Sequence, residues 1–185
     1  MADSRRILLG VTASIAIHRA LDITSELRKR GHRVTVVMTP NSQRMITPLT
    51  FQAMSLETVY HDPWAVGPSR DHDHIRMAQE GELFLVAPAT ASTIGKLAHG
   101  ILDNLVATTA FAFEGPRLIA PAMNWRMWGK PIVQENLKRL EGDGWDVIPP
   151  AEGDLACGEQ GPGRLAPVDE ILRRVRDALP APPPA

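Results

Sequence analysis

The sequence predicts a three-layer, doubly wound α/β fold with a parallel sheet of five or six strands. Short, continuous apolar runs such as residues 6–11 and 34–38 are typical of strands buried on both faces. Other segments, such as residues 17–27, place apolar side chains at three- and four-residue spacing, which is typical of helices packed on a sheet. The two kinds of segment alternate along the chain, which favours parallel strands joined by helical crossovers.

Five strands are predicted, followed or separated by six helices. The strands are expected at residues 6–11, 34–38, 83–87, 118–120 and 145–148. The helices are expected from residue 17, from Thr47-Pro48, and over residues 93–99, 103–113, 131–140 and 168–179. Residues 1–179 are therefore interpreted as a single domain, and the proline-rich residues 180–185 as a disordered tail.

Composition excludes several classes of protein. The 185-residue chain is 44% hydrophobic and 22% charged with a net charge of −1, so no excess of positive charge attracts it to nucleic acid or to an anionic membrane. No apolar run is long enough to span a bilayer. The single cysteine, Cys157, cannot form an internal disulfide. These features predict a cytoplasmic protein that binds neither nucleic acid nor membrane.

Two loops that follow predicted strands are rich in hydroxyl side chains. Residues 11–14 and 87–93 each lie between a strand and a helix, where backbone N–H groups form an anion site. Either loop alone is consistent with ordinary helix capping, but the pair indicates a phosphorylated ligand the size of a mononucleotide. Neither loop has the glycine pattern of a dinucleotide or triphosphate site. The predicted contact residues are Ala13, Ser14, Thr39, Ser42, Thr90, Ala91, Ser92 and Thr93.

A third strand-end segment, residues 121–128, is unusual because it contains two Met, two Trp and Asn124. The simpler interpretation is a loop that packs its aromatic side chains on the core. Alternatively, the Asn124 amide orients a carboxylate or the edge of a flavin through hydrogen bonds.

Several motifs resemble those of the homo-oligomeric flavin-containing cysteine decarboxylases. Pro121–Trp128 resembles their Pro-x-Met-Asn-x-x-Met-Trp signature, and Ala87–Thr93 resembles their Ala-Pro-Ala-Thr-Ala-Asn-Thr loop, with Ser92 in place of Asn. Residues 156–165 resemble the substrate clamp of the branch that acts on phosphopantothenoylcysteine. His74-Ile75, Thr47–Phe51 and Lys96–Gly100 also match. The first turn, Ala13-Ser14, departs from the usual Gly-Gly or Ser-Gly.

The resemblance implies FMN as cofactor and a thiol substrate that is oxidised before it loses CO2. His74, Asn124 and Cys157 are then the catalytic residues: His74 assists thiol oxidation, Asn124 binds the carboxylate, and Cys157 returns a proton to the enethiol. Ala122 joins the cofactor site. The implied substrate contacts are Asn124, Met127, Ala156, Gly158, Gly161, Gly163 and Arg164, with the three glycines allowing a lid to close.

A metal site is the competing interpretation of the histidines. His61, His72 and His74 lie close together in sequence, but no Cys or carboxylate at a familiar spacing completes a zinc set. A lone histidine in a polar loop is most often an ordinary surface residue. The match of His74-Ile75 to the family motif favours catalysis, so no metal is predicted.

Two other functions remain open. A peptide cysteine decarboxylase performs the same first half-reaction and needs no clamp cysteine, so Cys157 favours the enzyme of coenzyme A biosynthesis. A non-catalytic regulatory flavoprotein of the same fold is the second alternative, although this sequence carries no long acidic extension. In many bacteria the decarboxylase is fused to a ligase, and no ligase segment follows here.

A homo-oligomer, either a trimer or a dodecamer, is also predicted. Trp125 and Trp128 lie in a strand-end loop that a small domain covers poorly, and the resemblance implies sites shared between subunits.

Overall fold

The computed structural model describes residues 4–64, 73–154 and 158–179. The strands are β1 (Arg6–Val11), β2 (Arg33–Met38), β3 (Leu83–Ala89), β4 (Arg117–Pro121), β5 (Trp145–Val147), β6 (Ala151–Asp154) and β7 (Gln160–Arg164). The helices are α1 (His18–Lys29), α2 (Pro48–Ser55), α3 (Asp73–Glu80), α4 (Ala91–Ala98), α5 (Leu105–Ala112), α6 (Trp125–Trp128), α7 (Pro131–Gly142) and α8 (Val168–Ala178). Two 3₁₀ turns span Ile15–Ile17 and Ser42–Arg44.

Five parallel strands form the main sheet in the order β2-β1-β3-β4-β5. The predicted doubly wound α/β class is therefore confirmed. The chain moves outward from β1 to β2 and then returns to the other side of β1 as β3. This reversal opens a crevice beyond the carboxyl ends of β1 and β3, which is where such sheets bind ligands. The hairpin β6–β7 is antiparallel and stands apart from the main sheet.

Both faces of the sheet are buried, which explains why its strands are continuously apolar. Leu9 points to the face covered by α1, α2 and α8, where it joins Ile23, Phe51 and Ile171. Leu8, the residue before Leu9 in β1, points to the opposite face. That face is covered by α3, α4, α5 and α7, which contribute Met77, Ile94, Val106 and Leu137.

Ion pairs at the amino edge of the sheet orient α3. Glu80, the last residue of α3, contacts Arg6 at the start of β1. Close by, burial raises the pKa of Glu82, but hydrogen bonds from the Arg5 guanidinium and the Arg6 N–H outweigh it, so the pKa is lowered overall. Because its last turn is held at the amino edge, α3 runs with its first turn toward the carboxyl edge.

Three elements were not predicted from the sequence. Helix α3 follows residues 65–72, which lie outside the described part of the chain, and α6 has only four residues. The hairpin β6–β7 includes Gly153, Gly161 and Gly163, and its glycine content favours the interpretation of a loop. Helix α4 also begins at Ala91, two residues before the predicted start, because Thr90 caps it by accepting a bond from the Thr93 N–H at 3.3 Å.

No helix among the described residues is long and apolar enough to cross a membrane. The predicted tail, residues 180–185, lies outside the described residues.

Candidate active site

Thr12 connects the two hydroxyl-rich loops at the carboxyl edge of the sheet. Its Oγ1 donates to the Pro88 carbonyl oxygen at 2.7 Å and accepts from the Thr90 N–H at 3.1 Å. The side chain is buried, so both bonds form away from bulk water. The loop after β1 is thereby held against the loop after β3. Thr12 was not predicted as a site residue, although a hydroxyl side chain directly after a buried strand is the available signal.

Ser14 connects the same β1 loop to the end of β4. Its Oγ donates to the Ala122 carbonyl oxygen at 3.3 Å and accepts from the Ala16 N–H at 3.4 Å, which caps the turn before α1. Ala122 in turn donates its N–H to Ala89 at the end of β3, at 3.0 Å. The ends of β1, β3 and β4 therefore form one hydrogen-bonded unit.

Thr39 and Ser42 after β2 hold the loop in which they lie. The Ser42 hydroxyl donates to the Thr39 carbonyl oxygen at 2.7 Å, and Ser42 has no exposed surface. Thr39 is also buried and bonds to Val11 at the end of β1. Both side chains shape the loop in this structure, and their contact with a ligand stays a prediction.

The loop that precedes α4 has hydroxyl side chains at its cap and in its first turn. Thr90 is half-buried at the cap, and its Oγ1 lies 3.2 Å from the Thr93 Oγ1. Ala91 is half-buried, Ser92 is exposed and Thr93 is buried. Because α4 begins directly after β3, the N–H groups of its first turn lie at the carboxyl edge of the sheet, beside the crevice.

Asn124 occupies the cap position of α6. Its Oδ1 accepts from the Arg126 N–H at 2.8 Å, and its backbone oxygen accepts from the Met127 and Trp128 N–H groups. Capping fixes the plane of the amide, which is a requirement for a group that orients a substrate. Met127 is half-exposed on this short helix.

Strand β7 packs directly on the Asn124 loop. The Met123 N–H donates to the Gly163 carbonyl oxygen at 2.9 Å. A Cβ at Gly163 would lie 2.2 Å from the Met123 carbonyl oxygen, and one at Gly161 would lie 3.1 Å from the Trp125 side chain. These two glycines therefore permit a close approach between strand and loop. Both glycines lie inside the paired strand β7, and their role in a lid stays a prediction.

These elements surround a cleft of about 900 Å³. Of the predicted site residues, the cleft brings together Ser14, Ala122, Asn124, Gly163 and Arg164. The other predicted residues that the structure describes do not line it: Ala13, Thr39, Ser42, His74, residues 90–93, Met127, Gly158 and Gly161. His18 and Arg19, on the first turn of α1, line the cleft and were not predicted; they lie four and five residues after Ser14, one helical turn further on.

His74 lies in the first turn of α3 and is half-buried. It precedes Glu80 by six residues, so it lies about 9 Å along the helix from the amino edge of the sheet, toward the carboxyl edge. This is the edge that carries the cleft.

Two predicted residues, Ala156 and Cys157, lie outside the described residues. Gly158 directly follows them with a positive φ of 79°, which an L residue adopts only with strain.

The crevice lies where the strand order reverses, the loops that border it contain capping hydroxyl side chains, and they lack the glycine pattern of a dinucleotide site. These features are typical of an α/β protein that binds a mononucleotide. The family model described as Flavoprotein matches residues 1–179, so the chain belongs to the flavoprotein family.

Two curated relatives are similar over most of this chain. A probable phosphopantothenoylcysteine decarboxylase of Streptococcus mutans is 40% identical over 178 residues, which are 95% of this chain and 99% of the relative. The coenzyme A biosynthesis bifunctional protein CoaBC of Bacillus subtilis is 43% identical over 173 residues, which are 94% of this chain but 43% of the relative. The chain thus spans less than half of the bifunctional relative.

Two solved structures share the fold closely. One is a mutant PPC decarboxylase complexed with pantothenoylaminoethenethiol, with a TM-score of 0.85 and 28% identity over 94% of this chain and 97% of that chain. The other is the FMN-dependent cysteine decarboxylase SpaF, with a TM-score of 0.83 and 28% identity over 96% of this chain and 95% of that chain.

Proposed function

We propose that this protein is an FMN-dependent decarboxylase that converts 4'-phosphopantothenoylcysteine to 4'-phosphopantetheine in coenzyme A biosynthesis. The proposal rests on one observation: Ser14, Asn124 and strand β7, which belongs to the segment that resembles the substrate clamp, line the same cleft. The named activity of the Streptococcus mutans relative, which this chain matches along nearly its whole length, supports the substrate. We further propose that residues 1–179 act as a single domain and that the reaction takes place in the cytosol.

The residues at the crevice fit FMN. Thr12 holds together two loops whose helix starts present N–H groups, which suits a phosphate. The cleft of about 900 Å³, which shares Ser14 and Ala122 with this crevice, falls within the range of about 300–1,000 Å³ that is usual for small-molecule sites. Ala13, Ser14, Thr90, Ala91, Ser92, Thr93 and Ala122 would hold the cofactor, with Thr39 and Ser42 supporting the loop behind them. When bound, the flavin supplies reversible two-electron redox chemistry that makes the carbon beside the carboxylate able to release CO2.

The remaining work falls to side chains of the protein. The capped Asn124 amide would hold the substrate carboxylate through hydrogen bonds and release it as neutral CO2. His74 would move the proton of the substrate thiol during its oxidation. Arg164, at the mouth of the cleft, would hold the substrate phosphate or the clamp, and Met127, Gly158, Gly161 and Gly163 would complete the substrate contacts. Cys157 would give a proton to the enethiol carbon so that a saturated thiol leaves.

The purified protein is expected to be yellow and to hold FMN, and to remove one CO2 from phosphopantothenoylcysteine. Mass spectrometry of the released chromophore and of the product checks both points. A colourless protein that takes up no FMN, or a substrate mass that does not change, would contradict the proposal.

Cys157→Ser is expected to separate the two halves of the reaction. A free thiol has a pKa near ~8.5 and is a far better proton donor than a serine hydroxyl. The mutant should therefore release CO2 and then stop, so that a product two hydrogens lighter than phosphopantetheine accumulates with reduced flavin. For a peptide cysteine decarboxylase the enethiol is already the final product, and the substitution would change neither its mass nor its yield. Saturated product formed at the wild-type rate would exclude the proton-donor role.

A homo-oligomer built from trimers is expected, with the dodecamer as the larger alternative. Trp125 and Met127 on α6 are 38% and 47% exposed and lie beside the cleft, where a second subunit would cover them, whereas Trp128 is half-buried against the core. Light scattering at micromolar concentration checks the assembly. A monomer under these conditions would contradict the expectation.

A further inference from the structure

Glu159 joins the hairpin β6–β7 to helix α6 through both of its carboxylate oxygens. Oε2 accepts from the Trp125 indole Nε1–H at 2.8 Å, and Oε1 accepts from the Arg126 guanidinium at 2.6 Å. The Arg126 guanidinium also lies over the Trp125 ring, 5.2 Å from its centroid. We call this group of three side chains the clasp.

The side chains of the clasp are held by more contacts than those of an ordinary surface ion pair. Isolated exposed pairs contribute little, because two long side chains must be held in one geometry in water. Here one carboxylate accepts charge-assisted and indole hydrogen bonds from two neighbouring residues, and the Trp125 ring also lies against Gly161 of the next strand. Three contacts therefore constrain the same few atoms.

The clasp lies between the two parts of the site that perform different steps. On one side it begins at Trp125. This residue directly follows Asn124, which is proposed to hold the substrate carboxylate that leaves as CO2. On the other side it holds Glu159, two residues after Cys157 in the sequence and directly before β7. Further along β7 the bond between Met123 and Gly163 provides a second attachment, which does not depend on Glu159. Loss of the clasp would therefore release Glu159 and the start of β7, while the bond between Met123 and Gly163 keeps the Asn124 loop attached.

We propose that Glu159 is a positioning residue for the second half of the reaction, in which the enethiol receives a proton and becomes the saturated thiol. The inference rests on the proposed function. The clasp uses Trp125 and Arg126, which occupy two of the three positions that the Pro-x-Met-Asn-x-x-Met-Trp signature leaves open. Glu159 is not one of the residues that line the cleft, and we assign it a positioning role that acts through the hairpin.

The test measures the ratio of enethiol to saturated thiol that the Glu159→Ala variant produces. Phosphopantothenoylcysteine is mixed without oxygen with an excess of FMN-loaded enzyme, so that each substrate molecule is turned over once. Complete turnover returns the two electrons to the product and leaves oxidised flavin. A stalled turnover leaves the enethiol, lighter by two hydrogens, with those electrons on reduced flavin. We expect the ratio of enethiol to saturated thiol to rise about tenfold, as the loss of a charge-assisted hydrogen bond predicts, while CO2 release changes less than about threefold.

The product ratio distinguishes positioning from simple destabilisation, because unfolded enzyme makes neither product. Glu159→Gln keeps one acceptor oxygen and should give an intermediate ratio. Trp125→Phe removes the indole donor and keeps the ring, and its effect should not add to that of Glu159→Ala.

Glu26→Ala is the matched control. The Lys29–Glu26 pair has the same 2.6 Å separation and side chains 67% and 39% exposed, against 66% and 37% for Arg126 and Glu159, but it lies on α1 away from the cleft. Glu26→Ala should leave the product ratio unchanged. An unchanged ratio in Glu159→Ala, or an equal loss of both products, overturns the role of Glu159 alone. Wild-type enzyme that releases no CO2 overturns the proposed function and this inference together.

Discussion

Gly163→Ala is expected to lower decarboxylation by at least about 100-fold and to destabilise the fold by about 2–3 kcal/mol. The added Cβ would lie 2.2 Å from the Met123 carbonyl oxygen, and that neighbour is backbone and cannot rotate away. Gly163 also has a φ of 128°, a conformation that an alanine adopts only with strain. Strand β7 and the Asn124 loop must therefore separate, which displaces Asn124 from the position that capping gives it.

The measurements are steady-state CO2 release and urea unfolding of FMN-loaded enzyme. Gly142→Ala provides the control, because Gly142 ends α7 with nothing within 4 Å of an added Cβ. In that helical position alanine should be neutral or slightly stabilising. Wild-type activity and stability in Gly163→Ala would show that the close contact between strand and loop is dispensable.

His74→Asn is expected to lower decarboxylation by about 100- to 10,000-fold, the usual range for a missing general acid or base. Asparagine retains polarity and hydrogen-bonding groups but cannot exchange protons near neutral pH. FMN should remain bound, because His74 lies on α3 and the loops that fit the phosphate follow β1 and β3. Flavin absorbance after gel filtration measures binding, and product mass measures turnover.

His99→Asn serves as the comparison for His74→Asn. His99 follows α4 and is hydrogen bonded to Asn136 of α7 on an exposed surface, away from the cleft. Its replacement should leave turnover within about twofold of wild type, since surface substitutions outside such sites have small effects. Near-wild-type turnover in His74→Asn would remove His74 from the mechanism, whereas loss of flavin from that variant would assign it a structural role.

The fold class was predictable because its signals are local. A run such as residues 6–11 is apolar at consecutive positions, and only a strand covered on both faces buries all of them. Helix spacing and caps such as Thr47-Pro48 are likewise readable within a few residues. The strand order was not predictable in this way, because pairing β1 with both β2 and β3 depends on contacts between residues far apart in sequence.

The candidate site was predicted in part. The loops around Ser14 and Asn124 follow recognisable strands, and the structure brings both to one cleft. The burial of Ser42 was not predictable, because it depends on how the loop folds back on Thr39. The glycines of the clamp were interpreted as sources of flexibility, since a sequence cannot tell a flexible glycine from one that allows a close backbone contact.

The sequence by itself determined the alternation of strands and helices, the hydroxyl-rich strand ends, and the motifs that imply FMN and a cysteine-derived substrate. Only the tertiary structure decided that Thr12 joins two loops, that β7 packs on Met123, and that Glu159 holds Trp125 and Arg126. These contacts join residues 33 to 78 positions apart. Their geometry is set by the packing of whole elements, and no local pattern of side chains encodes it.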